Sequence, residues 1–387
     1  MLKSTDRIKA THAGSLPRPE DLREMVVARG TGKPYDAEAL SKRLKSAVKE
    51  VVQKQIALGM DSINDGELSK ISFTTYCNER LGGIAPREVP AGTGPTARSI
   101  NGRDKQNFPN YFNAGGGRFN HSIQQTVYFA TEPLKYIGQA AVKEDIENFK
   151  AALEGVSGVE AFLPANSPGT IEHWLHNEHY PDREALLFAI ADAMREEYKA
   201  ITDAGFLLQI DDPDLPDAWQ MYPEMSVAEY RKYAEMRVDA LNHALRGIPK
   251  EQIRLHVCWG SPPGPHVADL PLEHLIDLIF KVPAASYSIE ASNPRHEHEW
   301  KVFEKVKVPE GSLLIPGVVG HHTTHIEHPE VVAGRLVRYA NLVGKENVGA
   351  SADCGLGMRT PTEIAWAKIG AIAEGAQLAS KQLWGRA

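Results

Sequence analysis

A rhythm restricts the fold of this chain more than any other feature. Short β-branched or apolar runs recur eight times, and long amphipathic stretches separate most of them. The short runs are IKATHAG (8–14), DSINDGE (61–67), VEAFLPA (159–165), FLLQIDD (206–212), IRLHVCW (253–259), ASYSIEA (285–291), SLLIPGVV (312–319) and NVGASAD (347–353). The long stretches, at 36–58, 182–204, 226–245, 329–344 and 362–382, repeat apolar residues at spacings of three and four. That is the period of a helix with one buried face. Strands alternating with helices predict a parallel sheet, and eight strands predict closure into a (β/α)8 TIM barrel. A chain of 387 residues is long enough for one such barrel with insertions, so 1–387 is expected to be a single barrel.

The rhythm fails between about 78 and 150. Residues 82–120 are rich in Gly, Pro and Asn, and TVYFATEPLKYIG follows at 126–138. The expectation is a loop and hairpin inserted after the second strand, with a helix near 143–154 completing that unit. Loops of this length are more often functional than idle.

Composition excludes several classes of function. A net charge of −7 provides no basic surface for nucleic acid or anionic membrane. Three cysteines cannot build a disulfide framework and suit a reducing compartment. The start, MLKSTDRIKATHAG, lacks the apolar run of a signal peptide, and no stretch approaches the ~20 apolar residues of a membrane span. A cytoplasmic enzyme is expected.

In such a barrel, residues just beyond the strands' C-terminal ends converge on one mouth. The candidates there are Ser15, Glu67, Asp211, His256, Cys258, Glu290, the histidines of GHHTTHIEH (320–328) and Cys354. His256 and Cys258 are two apart, so on a regular strand both point to the same side. Two thiolates, an imidazole and a carboxylate suit zinc, which accepts S, N and O ligands in tetrahedral geometry. Cysteines on buried strands are also common as small hydrophobes, and both readings stand on the residues alone.

Six motifs, in order from residue 11 to 359, resemble those of cobalamin-independent methionine synthase. LHVCWG, YSIEAS and SADCGLGMR look like that family's zinc motifs, THAGSLPRP its Gly-Ser motif, and NDGE and LLQIDDP its acidic substrate-binding segments. The resemblance implies zinc held by His256, Cys258, Glu290 and Cys354. It implies that Glu67 and Asp211 hold the amino group of homocysteine and that Ser15 and its neighbours hold its carboxylate. The implied methyl donor is 5-methyltetrahydrofolate, whose leaving nitrogen needs a general acid. The resemblance gives that role to His322, with His321 as the alternative. Replacing the Glu290 carboxylate by a substrate thiolate would leave the centre's charge unchanged, which makes Glu290 a candidate displaceable ligand. Trp174, in SPGTIEHW, is a candidate for stacking on the pterin, with core packing the alternative. His296, His298, His325 and His328 are read as loop or surface residues, with a second metal site in HHTTHIEH as a lesser possibility.

The chain also departs from the family. The match is to the catalytic barrel, with no counterpart of the N-terminal barrel that helps hold a polyglutamylated folate, and QIDDP carries Asp212 where the family has glutamate. Two other readings follow. One is alkyl transfer to another thiol, as in epoxyalkane:coenzyme M transferase, with Arg18 and Arg359 as candidate cations for a sulfonate. The other is a non-catalytic zinc protein. Paired acids at Glu67 and Asp211 favour a thiol that carries an amine.

Overall fold

A computed structural model describes residues 3–90, 102–116, 124–260, 264–357 and 360–385 of the chain. Eleven strands are present among them. They are β1 (Lys9–Ala10), β2 (Ser62–Ile63), β3 (Leu81–Pro90), β4 (Gln124–Tyr136), β5 (Glu160–Asn166), β6 (Leu175–Asn177), β7 (Leu207–Asp211), β8 (Ile253–Val257), β9 (Ser286–Ile289), β10 (Leu313–Val319) and β11 (Gly349–Ala352). Eight form one sheet in the order β1-β11-β10-β9-β8-β7-β5-β2, and every pair in it is parallel. These are the eight runs picked out by the sequence rhythm. The ring is nearly closed by Asp61, whose N–H donates to the Ala10 carbonyl (2.8 Å) and whose Oδ2 accepts from the Ala10 N–H (2.9 Å). Arg7 pairs with the same carboxylate. The architecture is a (β/α)8 barrel.

The outer helices form where the apolar spacing places them. Ala37–Ala57 begins behind Asp36, whose side chain accepts from the Ala39 N–H, and Arg183–Asp203 begins behind Asp182, which accepts from Ala185. Val227–Leu245 carries a full capping box between Ser226 and Glu229. Their inner faces bury residues such as Val48, Val52, Ile190, Met194, Val238 and Leu241 against the sheet. Each such side chain contributes about 1.5–3 kcal/mol of hydrophobic stabilisation. Pro329–Val343 and Thr362–Trp384 complete the series.

Within the insertion, β3 and β4 form an antiparallel hairpin, and β6 joins β4 in parallel to make a second, three-stranded sheet. The helix that follows spans Gln139–Ala152, starting earlier than the spacing suggested, directly after Gly138. Two short helices, Gly102–Asn107 and Pro109–Asn113, stand where a plain loop was expected. The first docks beside the barrel mouth. Arg103 donates to the carbonyls of Trp219, Tyr222 and Met225 (2.8 Å each), with its guanidinium 3.3 Å from the Trp219 ring centroid.

Candidate active site at the barrel mouth

Strand register builds the site in layers. Asp211 at the end of β7 is the Cα partner of His256 on β8, and His256 is the partner of Ser288 on β9. The His256 Nδ1 lies 3.2 Å from the Ser288 hydroxyl, which fixes the ring. Cys258 and Glu290 follow directly after β8 and β9, and Cys354 follows β11. Donor atoms of His256, Cys258 and Cys354 all lie within 4.8 Å of one another, with the two sulfurs 3.7 Å apart. Two sulfurs on one tetrahedral ion at ~2.3 Å would be separated by about 3.8 Å, so these three residues fit a divalent metal. The His256 ring is buried beside Cys354. The hydrogen bond from Cys258 pushes the Cys354 thiol below its ordinary value and raises Cys258.

Glu290 is buried but stands apart from this trio. Its Oε2 accepts from the Trp259 N–H (2.8 Å), its Oε1 accepts from the Asn293 amide (2.9 Å), and His322 Nε2 lies 3.6 Å from Oε1. Burial raises its pKa, but the nearby His322 and the charges of His296 and His321 hold it below the usual carboxylate range. His321 is buried against His322, with ring centroids 3.8 Å apart, and its charge acts on Cys354.

The NDGE stretch explains how Glu67 reaches the mouth. Asn64 Oδ1 accepts from the Gly66 N–H (2.8 Å), and Asp65 Oδ1 accepts from the Glu67 N–H (2.9 Å). These are side-chain turns that turn the chain out of β2. Gly66 (φ +72°) and Glu67 (φ +55°) are both left-handed. Gly14 (φ +151°) lies opposite, and a Cβ there would fall 2.6 Å from the Glu67 Oε1, so only glycine leaves room for the carboxylate. Gln209 donates to both Asp211 Oδ1 and the Ala13 carbonyl (2.7 Å each), fixing Asp211 beneath the same region.

Three buried acids share this end of the barrel. Burial pushes Asp65 and Asp211 up to about 7, the charge of Glu67 adds to both, and burial also raises Glu67. Lys70 is the ammonium that acts on all three; it lies 3.8 Å from Glu67, donates to the Pro164 carbonyl and covers the Tyr76 ring. Arg18 directs its guanidinium to the carbonyls of Glu67 and Lys70.

The remaining sequence candidates are placed as follows. Ser15 packs against Gly355, and its carbonyl accepts from the Leu356 N–H (2.9 Å), next to Cys354. Trp174 is half-buried at the end of Pro168–Trp174, 4.9 Å from the His173 ring. His298 and His325 are exposed, and His328 caps the helix that follows it. Arg359 lies outside the described residues. His296 requires a correction: it is buried, with Nδ1 2.9 Å from Glu299 and Nε2 3.1 Å from Asp269. The acid three residues on was its visible signal; its second partner, Asp269, lies in a loop whose path the sequence does not give.

Sequence reasoning also missed Asp353. This buried carboxylate accepts from the N–H groups of Ala291 (2.8 Å) and Ser292 (2.9 Å), tying the Glu290 loop to the Cys354 loop.

Fold and site together define an α/β-barrel protein with a thiol–imidazole cluster and an acidic patch at its C-terminal mouth. Residues 141–377 match the family described as cobalamin-independent synthase, catalytic domain, and the chain belongs to that family. Curated methionine synthases of Sulfurisphaera tokodaii and Thermococcus kodakarensis are each 25% identical to it, over 380 and 377 residues. Those alignments cover 97% and 96% of this chain and 94% and 93% of the relatives. The B12-independent methionine synthase of Shewanella sp. W3-18-1, solved in complex with selenomethionine, superposes with a TM-score of 0.75 at 20% identity. That alignment covers 98% of this chain and 100% of the Shewanella chain; at this identity the likeness is one of fold.

Proposed function

We propose that this chain is a zinc-dependent methyltransferase that moves a methyl group from a methylated folate to the thiol of homocysteine, giving methionine. The observation that carries the proposal is the pair of buried carboxylates, Glu67 and Asp211, within electrostatic reach of the His256, Cys258 and Cys354 cluster. The cluster suits a thiol, and the acids suit an ammonium group on the same small molecule. The name methionine synthase, carried by relatives along nearly their whole length, supports the same substrate.

Zinc held by His256, Cys258 and Cys354 would keep a thiol in the remaining ligand position deprotonated at neutral pH. Glu67 and Asp211 hold the ammonium group and Ser15 the carboxylate, so the sulfur is aimed before the donor arrives. Glu290, held by the Trp259 N–H and the Asn293 amide, would be the carboxylate that yields its place to the substrate sulfur. His322 donates a proton to the folate nitrogen as its bond to the methyl carbon breaks and the sulfur–carbon bond forms. Trp174 offers an aromatic face to the pterin.

Coenzyme M is the weaker substrate on these grounds. A sulfonate would meet buried acids, while Arg18 is already bonded to backbone carbonyls.

The test is turnover by zinc-loaded protein with homocysteine or coenzyme M, paired with mono- and polyglutamylated methylfolate, other methyl donors and epoxides. Methionine from homocysteine and methylfolate is the expected product. Absence of methionine with every methyl donor would remove the proposal. A Cys258→Ser variant should lose zinc and turnover while retaining its circular dichroism; global unfolding would instead point to a structural zinc.

A further inference from the structure

We propose a second divalent-metal site in this protein, formed by His266, Asp269 and His296 and containing no sulfur. It is separate from the thiol cluster and does not depend on the reaction proposed above. His266 and Asp269 lie in the loop after β8, and His296 lies in the segment after β9. One ligand atom from each of the three lies within 4.8 Å of the others. Both imidazoles turn a ring nitrogen toward the same carboxylate oxygen: Asp269 Oδ2 is 2.7 Å from His266 Nδ1 and 3.1 Å from His296 Nε2. All three side chains are nearly enclosed, at 8%, 5% and 3% exposure.

The groups behind the trio are arranged as those around metal ligands are. A metal-bound histidine commonly gives its other ring N–H to a carboxylate, which fixes its tautomer and plane. Here His296 Nδ1 lies 2.9 Å from Glu299 Oε2, and the other Glu299 oxygen accepts from the Leu272 N–H (2.8 Å). The second oxygen of Asp269 accepts from the Gln220 amide (2.8 Å), leaving Oδ2 for the centre. Trp259 stacks on His296 with ring centroids 3.9 Å apart, so the imidazole cannot swing away. His266 is held at φ +54°, a left-handed conformation that a non-glycine residue keeps only where its surroundings impose it.

Charge selects the ion. With neutral imidazoles, Asp269 and Glu299 leave a formal charge of about −2, which a divalent cation neutralises. Two nitrogens and one carboxylate oxygen, without thiolate, suit Zn²⁺, Mn²⁺, Fe²⁺ or Ni²⁺, and water would complete the coordination. Such an ion would join the loop after Cys258 to the segment after Glu290. It would also fix His266, whose ring packs edge-on against His322 at 4.8 Å. The competing arrangement has no ion and places His296 as an imidazolium between Asp269 and Glu299.

Cobalt separates the two arrangements, because thiolate–cobalt charge transfer marks the first site and nitrogen–oxygen coordination does not produce it. The purified full chain is stripped of metal, equilibrated with Co²⁺, desalted and counted by mass spectrometry. Two ions per chain are expected. A His266→Gln variant should fall to one ion with the near-ultraviolet charge-transfer band undiminished. Asp269→Asn provides a second variant should the first fold poorly by circular dichroism. One ion per wild-type chain, or a count unaltered in folded variants of both residues, overturns the proposal and leaves the imidazolium arrangement.

Discussion

Glu67 occupies a backbone conformation that costs a non-glycine residue about 1 kcal/mol or more, and it does so beside two other buried acids. Lys70 offsets part of their mutual repulsion, and a second ammonium would offset more. Burial pushes Asp65 and Asp211 up to about 7, so both are partly protonated at neutral pH. An arriving ammonium favours the charged form and lowers these pKa values, so binding must release protons. Calorimetry near pH 7 in buffers of different ionisation enthalpy should show more protons released with homocysteine than with 4-mercaptobutanoate, which has the thiol but no amine. Equal release would remove the ammonium role. The same raised values affect stability: the native state binds more protons than the unfolded chain between about pH 3.8 and 7, so these acids lower stability as pH rises through that window. Asp211→Asn should therefore raise the Tm of ligand-free protein at pH 8. It should also raise the KM for homocysteine about 100-fold, the equivalent of about 3 kcal/mol, with little change in kcat. A lowered Tm with unchanged KM would contradict both statements.

The loops between elements depend on a few close approaches. Gly317 on β10 is one: a Cβ there would collide with the Asp353 carboxylate and come within 2.6 Å of its Cα. The register between β10 and β11 shifts just beyond it, between Gly317 and Val319. Asp353 in turn holds the backbone of Ala291 and Ser292. Gly317→Ala should cost about 1–3 kcal/mol in chemical denaturation and weaken metal binding, because it displaces the loop carrying Cys354. Unchanged stability and metal affinity would show that the loop relaxes freely. Legibility also differed by element. The five long helices were readable because apolar residues recur at spacings of three and four over 36–58, 182–204, 226–245, 329–344 and 362–382. Gly102–Asn107 and Pro109–Asn113 are too short to have a period, and Arg103 fixes the first through carbonyls more than a hundred residues away. His296 was misread for a similar reason: its partner Asp269 comes from another loop.

The whole molecule depends on closing the ring, and Asp61 joins β1 to β2 through the Ala10 backbone and Arg7. Asp61→Ala leaves the Ala10 N–H without its acceptor and Arg7 without its partner. It should cost about 2–4 kcal/mol, seen as a lower Tm; a wild-type Tm would mean that closure rests elsewhere. The ring's eight strands were legible because short β-branched or apolar runs alternate with amphipathic helical stretches. The convergence of His256, Cys258 and Cys354 follows from that ring, since strand order brings β8 and β11 to one mouth. The side Glu290 faces did not follow, because it depends on Trp259, Asn293 and His322 together. The central claim is that this trio holds one zinc ion with a position open to a guest sulfur. X-ray absorption at the zinc edge, before and after adding homocysteine, tests it most directly. The account expects two sulfur ligands to become three as one light-atom ligand departs. An unchanged sulfur count, or zinc without sulfur neighbours, would contradict it.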